Sequence, residues 1–149
     1  MAAITIQSDF TEYFPHKTIC NLGISRDTII GIKERLEMVK AVHPKKVFVL
    51  IGINSLQDEN YNSSVVEYEA LATELDDVES EIYLISILPV SPEYEKEKCS
   101  NNIIIMFNNE VKKICKKHNY TYIDLNTQML LDGYINPKFT IDGLHLSKT

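Results

Sequence analysis

The chain has 149 residues, 44% of them hydrophobic and 24% charged, which suits one domain with one substantial core and gives no reason to divide it. Its 15 basic residues stand against 21 acidic ones, a net charge of −6 with no basic block, and this argues against a nucleic-acid or anionic-membrane partner. The three cysteines, Cys20, Cys99 and Cys115, are widely spaced and form no Cys-x-x-Cys pair, so neither a disulfide framework nor a zinc site is expected and a reducing compartment fits.

In chain order, the N-terminus is too short and uncharged for a signal peptide, and no apolar run reaches the roughly 20 residues that span a bilayer. A soluble, cytoplasmic protein is expected. Residues 3–6 and 18–21 read as two weak strands. Ile29, Ile32, Leu36 and Val39 then recur at spacings of three and four, with Lys33, Glu34, Glu37 and Lys40 on other faces, a helical stripe made to pack on a sheet. Val47-Phe48-Val49-Leu50-Ile51, closed by Gly52, is the strongest strand signal and suits burial on both faces.

A helix capped by Ser63 or Ser64 comes next, carrying Val65, Tyr68, Leu71, Ala72 and Leu75. Ile82-Tyr83-Leu84-Ile85-Ser86-Ile87-Leu88 reads as a strand stopped by Pro89. Residues 93–98 are charge-dense and read as a solvated loop. Ser100 is placed to cap a helix carrying Ile103, Phe107, Val111, Ile114 and Cys115, and Tyr120-Thr121-Tyr122-Ile123-Asp124-Leu125 is the last strand before a loop-rich tail. Buried strands alternating with helices predict a single α/β domain over residues 1–149, with a mostly parallel five-stranded sheet between helical layers. In such sheets the ligand crevice lies beyond the carboxyl ends of the strands.

Three segments near those ends could carry chemistry. In Asp142-Gly143-Leu144-His145 a carboxylate precedes an imidazole by three residues, with a glycine that permits a tight turn. A carboxylate on one ring nitrogen fixes the tautomer and leaves the other nitrogen to accept a proton; the plainer alternative is a capping aspartate beside an incidental surface histidine. Asn54, after the strongest strand, could offer amide N–H groups to an oxyanion or be an ordinary turn residue. Gly23 could expose its backbone N–H to a ligand, or again mark only a turn.

Together these segments resemble the consensus blocks of the SGNH hydrolases, also called GDSL-type esterases, over nearly the whole chain. Asn21-Leu22-Gly23-Ile24-Ser25-Arg26-Asp27-Thr28 is similar to the glycine block, Gly52-Ile53-Asn54-Ser55 to the Gly-x-Asn-Asp block, and Asp142-Gly143-Leu144-His145 to the Asp-x-x-His block. Ile85-Ser86-Ile87-Leu88-Pro89-Val90 resembles the strand and proline before the family's variable substrate loop. The resemblance implies a flavodoxin-like three-layer α/β/α fold. It also implies a serine esterase with His145 as general base, Asp142 as its orienting acid, and Gly23, Asn54 and the nucleophile's own N–H as oxyanion hole. No metal or organic cofactor is implied, and the resemblance implies removal of acetyl or other short acyl groups from carbohydrates, lipids or related small esters.

The chain departs from the family at the nucleophile, where Gly-Asp-Ser is expected and Gln7-Ser8-Asp9 stands. An ungapped alignment through Phe10, Thr11 and Glu12 puts Asp9 on the nucleophile position, and a one-residue slip presents Ser8, which is taken as the nucleophile. Ser8 could instead be a helix N-cap. Ser55 replaces the second acid of the Gly-x-Asn-Asp block. The connection from Phe14 to Thr18 is short, and the helix that ordinarily follows the Asp-x-x-His block is not in this sequence, so either an apolar sheet face is expected that a partner subunit in a homo-oligomer could cover, or the sequence is a truncated form. Two further readings remain: a catalytically silent SGNH-like binding protein that lost its nucleophile block, and an unrelated flavodoxin-like phosphate or nucleotide binder. The latter is disfavoured because no glycine-rich loop follows the first strand.

Overall fold

A computed structural model describes residues 10–147 of the chain. The expected strand at residues 3–6, and with it Ser8 and Asp9, lies outside the described residues. In order, the described elements are helices α1 (Phe10–Tyr13), α2 (Ile29–Lys33) and α3 (Leu36–Ala41), strand β1 (Lys46–Val49), helix α4 (Tyr61–Leu75), strand β2 (Glu81–Ile85), helices α5 (Pro92–Glu97) and α6 (Asn101–His118), strand β3 (Thr121–Ile123), helix α7 (Asn126–Met129), and strands β4 (Leu130–Leu131) and β5 (Tyr134–Ile135). Short 3₁₀ turns occupy Asp58–Asn60 and Pro137–Phe139.

Strands β1, β2 and β3 form a parallel sheet in that order, with Val47 opposite Ile82 and Leu84 opposite Tyr122. Parallel neighbours require crossovers, and α4 and α5–α6 supply them. The helical stripe at Ile29, Ile32, Leu36 and Val39 is buried as expected, although the helix breaks at Glu34–Arg35 into α2 and α3. These residues join Val47, Val49, Tyr68, Leu71, Leu84, Ile104 and Phe107 in one core, where each fully buried aliphatic side chain contributes about 1.5–3 kcal/mol.

Four expectations need correction. Residues 18–21 form no strand; all four are exposed, so no apolar burial offsets the entropy of ordering them. Strand β1 is not buried on both faces: Val47 and Val49 point into the core while Phe48 is 46% exposed, stacked on Tyr83 at 4.6 Å. Helix α4 starts at Tyr61 rather than at a serine cap, because Ser63 donates to the Asn60 carbonyl and buried Ser64 donates to the Ser55 carbonyl instead. Residues 93–98 are largely helical: Ser91 caps α5 by accepting the Tyr94 N–H, and Pro92 sits in its first turn, the combination that starts helices. The Ser100 cap is as expected, accepting the Ile103 N–H at 3.2 Å.

Beyond β2, residues 86–90 are buried but extend past the ladder, so their main-chain polar groups need other partners. The Ser86 N–H still donates to the Ile123 carbonyl and the Val90 carbonyl accepts the Ile135 N–H, and side chains supply the other bonds. Asn108 accepts the Ile87 N–H (2.8 Å) and donates to the Ile87 carbonyl (2.9 Å), and Asn101 does the same for Val90 (2.9 and 3.0 Å). The buried Ser86 hydroxyl accepts the N–H groups of Leu125 and Asn126, and the Asn126 amide donates to the Ile87 carbonyl.

Candidate active site

Two groups of residues gather beyond the carboxyl ends of neighbouring strands β1 and β2. The first begins at Gly52, whose φ of +134° is rarely open to other residues and where a Cβ would meet Ile87 Cδ1 at 2.5 Å. This close approach locks the exit of β1 against the exit of β2. The chain then turns, with the Ser55 N–H donating to the Gly52 carbonyl (2.9 Å), and leaves Asn54 exposed. One N–H of the Asn54 amide donates to the Asp27 carbonyl at 3.0 Å, and Ser55 Oγ accepts the Ile29 N–H at 3.1 Å. Asn54 and Ser55 therefore tie the Gly23 block to the strand end.

Within that block Gly23 is buried and its N–H donates to Asn21 Oδ1 at 3.1 Å. Its neighbour Asp27 is 8% exposed and pairs with the Arg35 guanidinium. Asp27 Oδ1 also accepts the Thr28 N–H at 3.0 Å, and Thr28 caps α2 by accepting the Gly31 N–H.

The second group is the tail. Gly143 has φ +89°, and a Cβ there would meet Ser91 Oγ at 2.3 Å. Asp142 Oδ1 accepts the N–H groups of Leu144 (3.0 Å) and His145 (2.7 Å), while Oδ2 lies 2.6 Å from His145 Nδ1. The His145 carbonyl in turn accepts the Ile141 N–H and the Thr140 hydroxyl, closing the turn. Both side chains are about half exposed, 49% for Asp142 and 46% for His145. Burial pulls the Asp142 carboxyl up, and the hydrogen bonds from the His145 N–H, the His145 ring and the Leu144 N–H outweigh it, so the acid is held below its ordinary value. An ionised carboxylate only accepts, so Nδ1 carries the proton toward Asp142 and Nε2 is the nitrogen that can exchange one with a nucleophile.

Asp142 is thus brought onto His145, and the Gly23 block onto Asn54; Ser8, expected to join the two groups, lies outside the described residues. Among the described residues no cluster of three or more His, Cys, Asp and Glu could hold a metal ion, and no helix is long and apolar enough to cross a membrane. Sequence reasoning missed Arg35 and the pair Asn101 and Asn108. Two asparagines seven residues apart on the stripe of Ile104, Phe107 and Val111 were the available signal, since polar residues on an apolar face need buried partners.

A parallel sheet with an Asp–His turn and an asparagine loop beyond its carboxyl edge is the arrangement that the sequence blocks lead one to expect. The profile of the GDSL-like Lipase/Acylhydrolase family matches residues 4–149, and the chain belongs to that family. No curated protein sequence matches it. Among solved structures it is similar to an acetyl xylan esterase at 17% identity and a TM-score of 0.74, over 97% of this chain and 80% of that one. It is also similar to a GDSL-like lipase from Bacteroides thetaiotaomicron, at 20% identity and a TM-score of 0.79 over 93% of this chain and 72% of that one. A lipase/acylhydrolase from Enterococcus faecalis matches at 21% identity and a TM-score of 0.73, over 88% and 68% of the two chains. These likenesses establish the α/β/α fold of the SGNH hydrolases.

Proposed function

We propose that this chain is a serine esterase that removes acetyl or another short acyl group from a carbohydrate, a lipid or a small ester. Ser8 Oγ attacks the ester carbonyl carbon while His145 Nε2 takes its proton, and Asp142 stabilises the imidazolium that forms. The negative oxygen of the tetrahedral intermediate is held by Asn54, through the amide hydrogen not given to Asp27, and by the Gly23 N–H, which exchanges Asn21 Oδ1 for the oxyanion. Collapse expels the alcohol with the proton from His145, and water then cleaves the acyl-enzyme by the same steps. This chemistry calls for no metal or organic cofactor, and its partner is a small-molecule or carbohydrate ester. The observation that carries the reading is the 2.6 Å contact between Asp142 Oδ2 and His145 Nδ1, on a chain of acylhydrolase family. The acetyl preference draws support from the acetyl xylan esterase fold neighbour.

The test is hydrolysis of p-nitrophenyl acetate by wild type, Ser8→Ala, Asp9→Ala and His145→Ala. Loss of the general base should lower the rate about 10²–10⁴-fold, Ser8→Ala should abolish acyl-enzyme formation, and Asp9→Ala should remain active. Equal rates for wild type, Ser8→Ala and His145→Ala would refute the assignment.

One observation favours a second reading, a catalytically silent binding protein: the single Gly23 N–H is already committed to Asn21. That reading predicts no labelling by a fluorophosphonate probe, and a labelled Ser8 peptide in a mass spectrum would exclude it.

A further inference from the structure

We infer that Arg35 is a positioning residue that sets the direction of both proposed oxyanion donors. The inference rests on the esterase reading and adds to it a residue that touches neither substrate nor the Asp–His pair.

The guanidinium spends its donors on helix α2 and on two points of the loop before it. Nε donates to the Gly31 carbonyl at 3.1 Å, Nη1 to the Leu22 carbonyl at 3.3 Å, and Nη2 to the Asp27 carboxylate. The Leu22 carbonyl and the Gly23 N–H are opposite ends of one planar peptide, and none of the described peptide bonds is cis. Fixing the oxygen at one end therefore fixes the direction in which the N–H points at the other. At the same time Arg35 anchors Asp27, whose own main-chain carbonyl receives one hydrogen of the Asn54 amide at 3.0 Å. With that hydrogen committed, the second amide hydrogen is the one left for an oxyanion, and its direction is narrowed by the position of the Asp27 carbonyl.

The loop is shaped around this arrangement. The Asp27 and Arg35 side chains are only 7% and 19% exposed, so removing one partner leaves a desolvated charge. Gly31 makes room for the carboxylate: a Cβ there would meet Asp27 Oδ1 at 2.3 Å. A lysine could keep the charge opposite Asp27 but lacks the planar fork that also reaches Leu22 and Gly31. Charge and geometry are thereby separable by substitution.

The experiment is p-nitrophenyl acetate turnover by wild type, His145→Ala, Arg35→Lys and Arg35→Met, each below its own unfolding transition, together with the Gly23 amide resonance in ¹H–¹⁵N spectra. Losing the direction of an oxyanion donor costs about 10²-fold in kcat. Arg35→Lys should therefore keep a cooperative fold and a KM close to wild type while kcat falls at least about 10-fold, with the Gly23 resonance displaced. Arg35→Met should fall further, and Arg35→Lys carries the test if Arg35→Met does not fold. His145-dependent turnover that is undiminished in both Arg35 variants would overturn the inference and leave the esterase reading standing. A fall in Arg35→Met alone would reduce Arg35 to a charge partner of Asp27 and overturn the peptide-orienting role. Wild type without His145-dependent turnover would overturn the esterase reading, and the role of Arg35 with it.

Discussion

The Ser91 N–H donates to the Gly143 carbonyl at 2.9 Å, and this bond joins the turn bearing Asp142 and His145 to the chain leaving β2. Gly143→Ala attacks the junction twice, through a φ of +89° and through a Cβ 2.3 Å from Ser91 Oγ. A left-handed conformation costs an ordinary residue about 1–2 kcal/mol. The variant should lose that much stability by urea titration and, because the turn that sets His145 is displaced, lose most ester hydrolysis while retaining its far-ultraviolet circular dichroism.

Asn108→Ala should destabilise the protein without altering the site chemically. It leaves the Ile87 N–H without its partner, whereas the Ile87 carbonyl still has Asn126. A buried unsatisfied donor costs about 1–3 kcal/mol, readable as a lowered urea midpoint at unchanged m-value. A midpoint equal to wild type would mean that the 87–90 main chain finds other partners.

Acid should weaken the contact between the ends of α4 and α6. Glu69 pairs with Lys117, and Asp76 accepts from Tyr120 at 2.6 Å and lies 2.8 Å from His118 Nδ1. The ion pair with Lys117 above all holds the Glu69 carboxyl below its ordinary value of 4.5, and the Tyr120 hydroxyl above all holds Asp76 below 3.8. Groups whose folded values are depressed stabilise fully above their unfolded values and lose that contribution as the pH falls through the folded ones. The Tm gap between wild type and the Glu69→Gln, Asp76→Asn double variant should therefore be largest near neutrality. It should close as the pH drops below those ordinary values.

Thiol chemistry should single out Cys20. Cys20 is exposed, Cys99 and Cys115 are buried, and burial pushes the Cys115 thiol up to about 11, so little thiolate forms there at neutral pH. A disulfide reagent should titrate one thiol rapidly in the native protein and all 3 cysteines of the chain after denaturation. Rapid native reaction of Cys115 would contradict its burial.

What could be read without coordinates was local. Asp142 and His145 were legible because three residues and a glycine confine both side chains to one turn, and the Ile29–Val39 stripe and the Ser100 cap follow from helical spacing alone. Residues 93–98 misled because their charges drew attention from the Ser91-Pro92 start signal immediately before them. Phe48 was misjudged because an unbroken apolar run does not tell a doubly buried strand from one whose outer face carries stacked aromatics. Arg35 was out of reach for another reason: its partner at Leu22 lies 13 residues away and is a main-chain atom. Asn101 and Asn108 stood out as polar residues on an apolar stripe, but their partners Val90 and Ile87, 11 and 21 residues away, are main-chain groups that no side-chain pattern announces.

The main chain at Ile87 and Val90 is held chiefly by the amide side chains of Asn108 and Asn101, with one further bond from the Ile135 N–H of β5 to the Val90 carbonyl. A loop that follows such a stretch and leaves the Ser91–Gly143 junction in place can lengthen or shorten without unzipping the three-stranded ladder. Variation in what the crevice admits can therefore accumulate beyond Val90 while the three parallel strands keep their register.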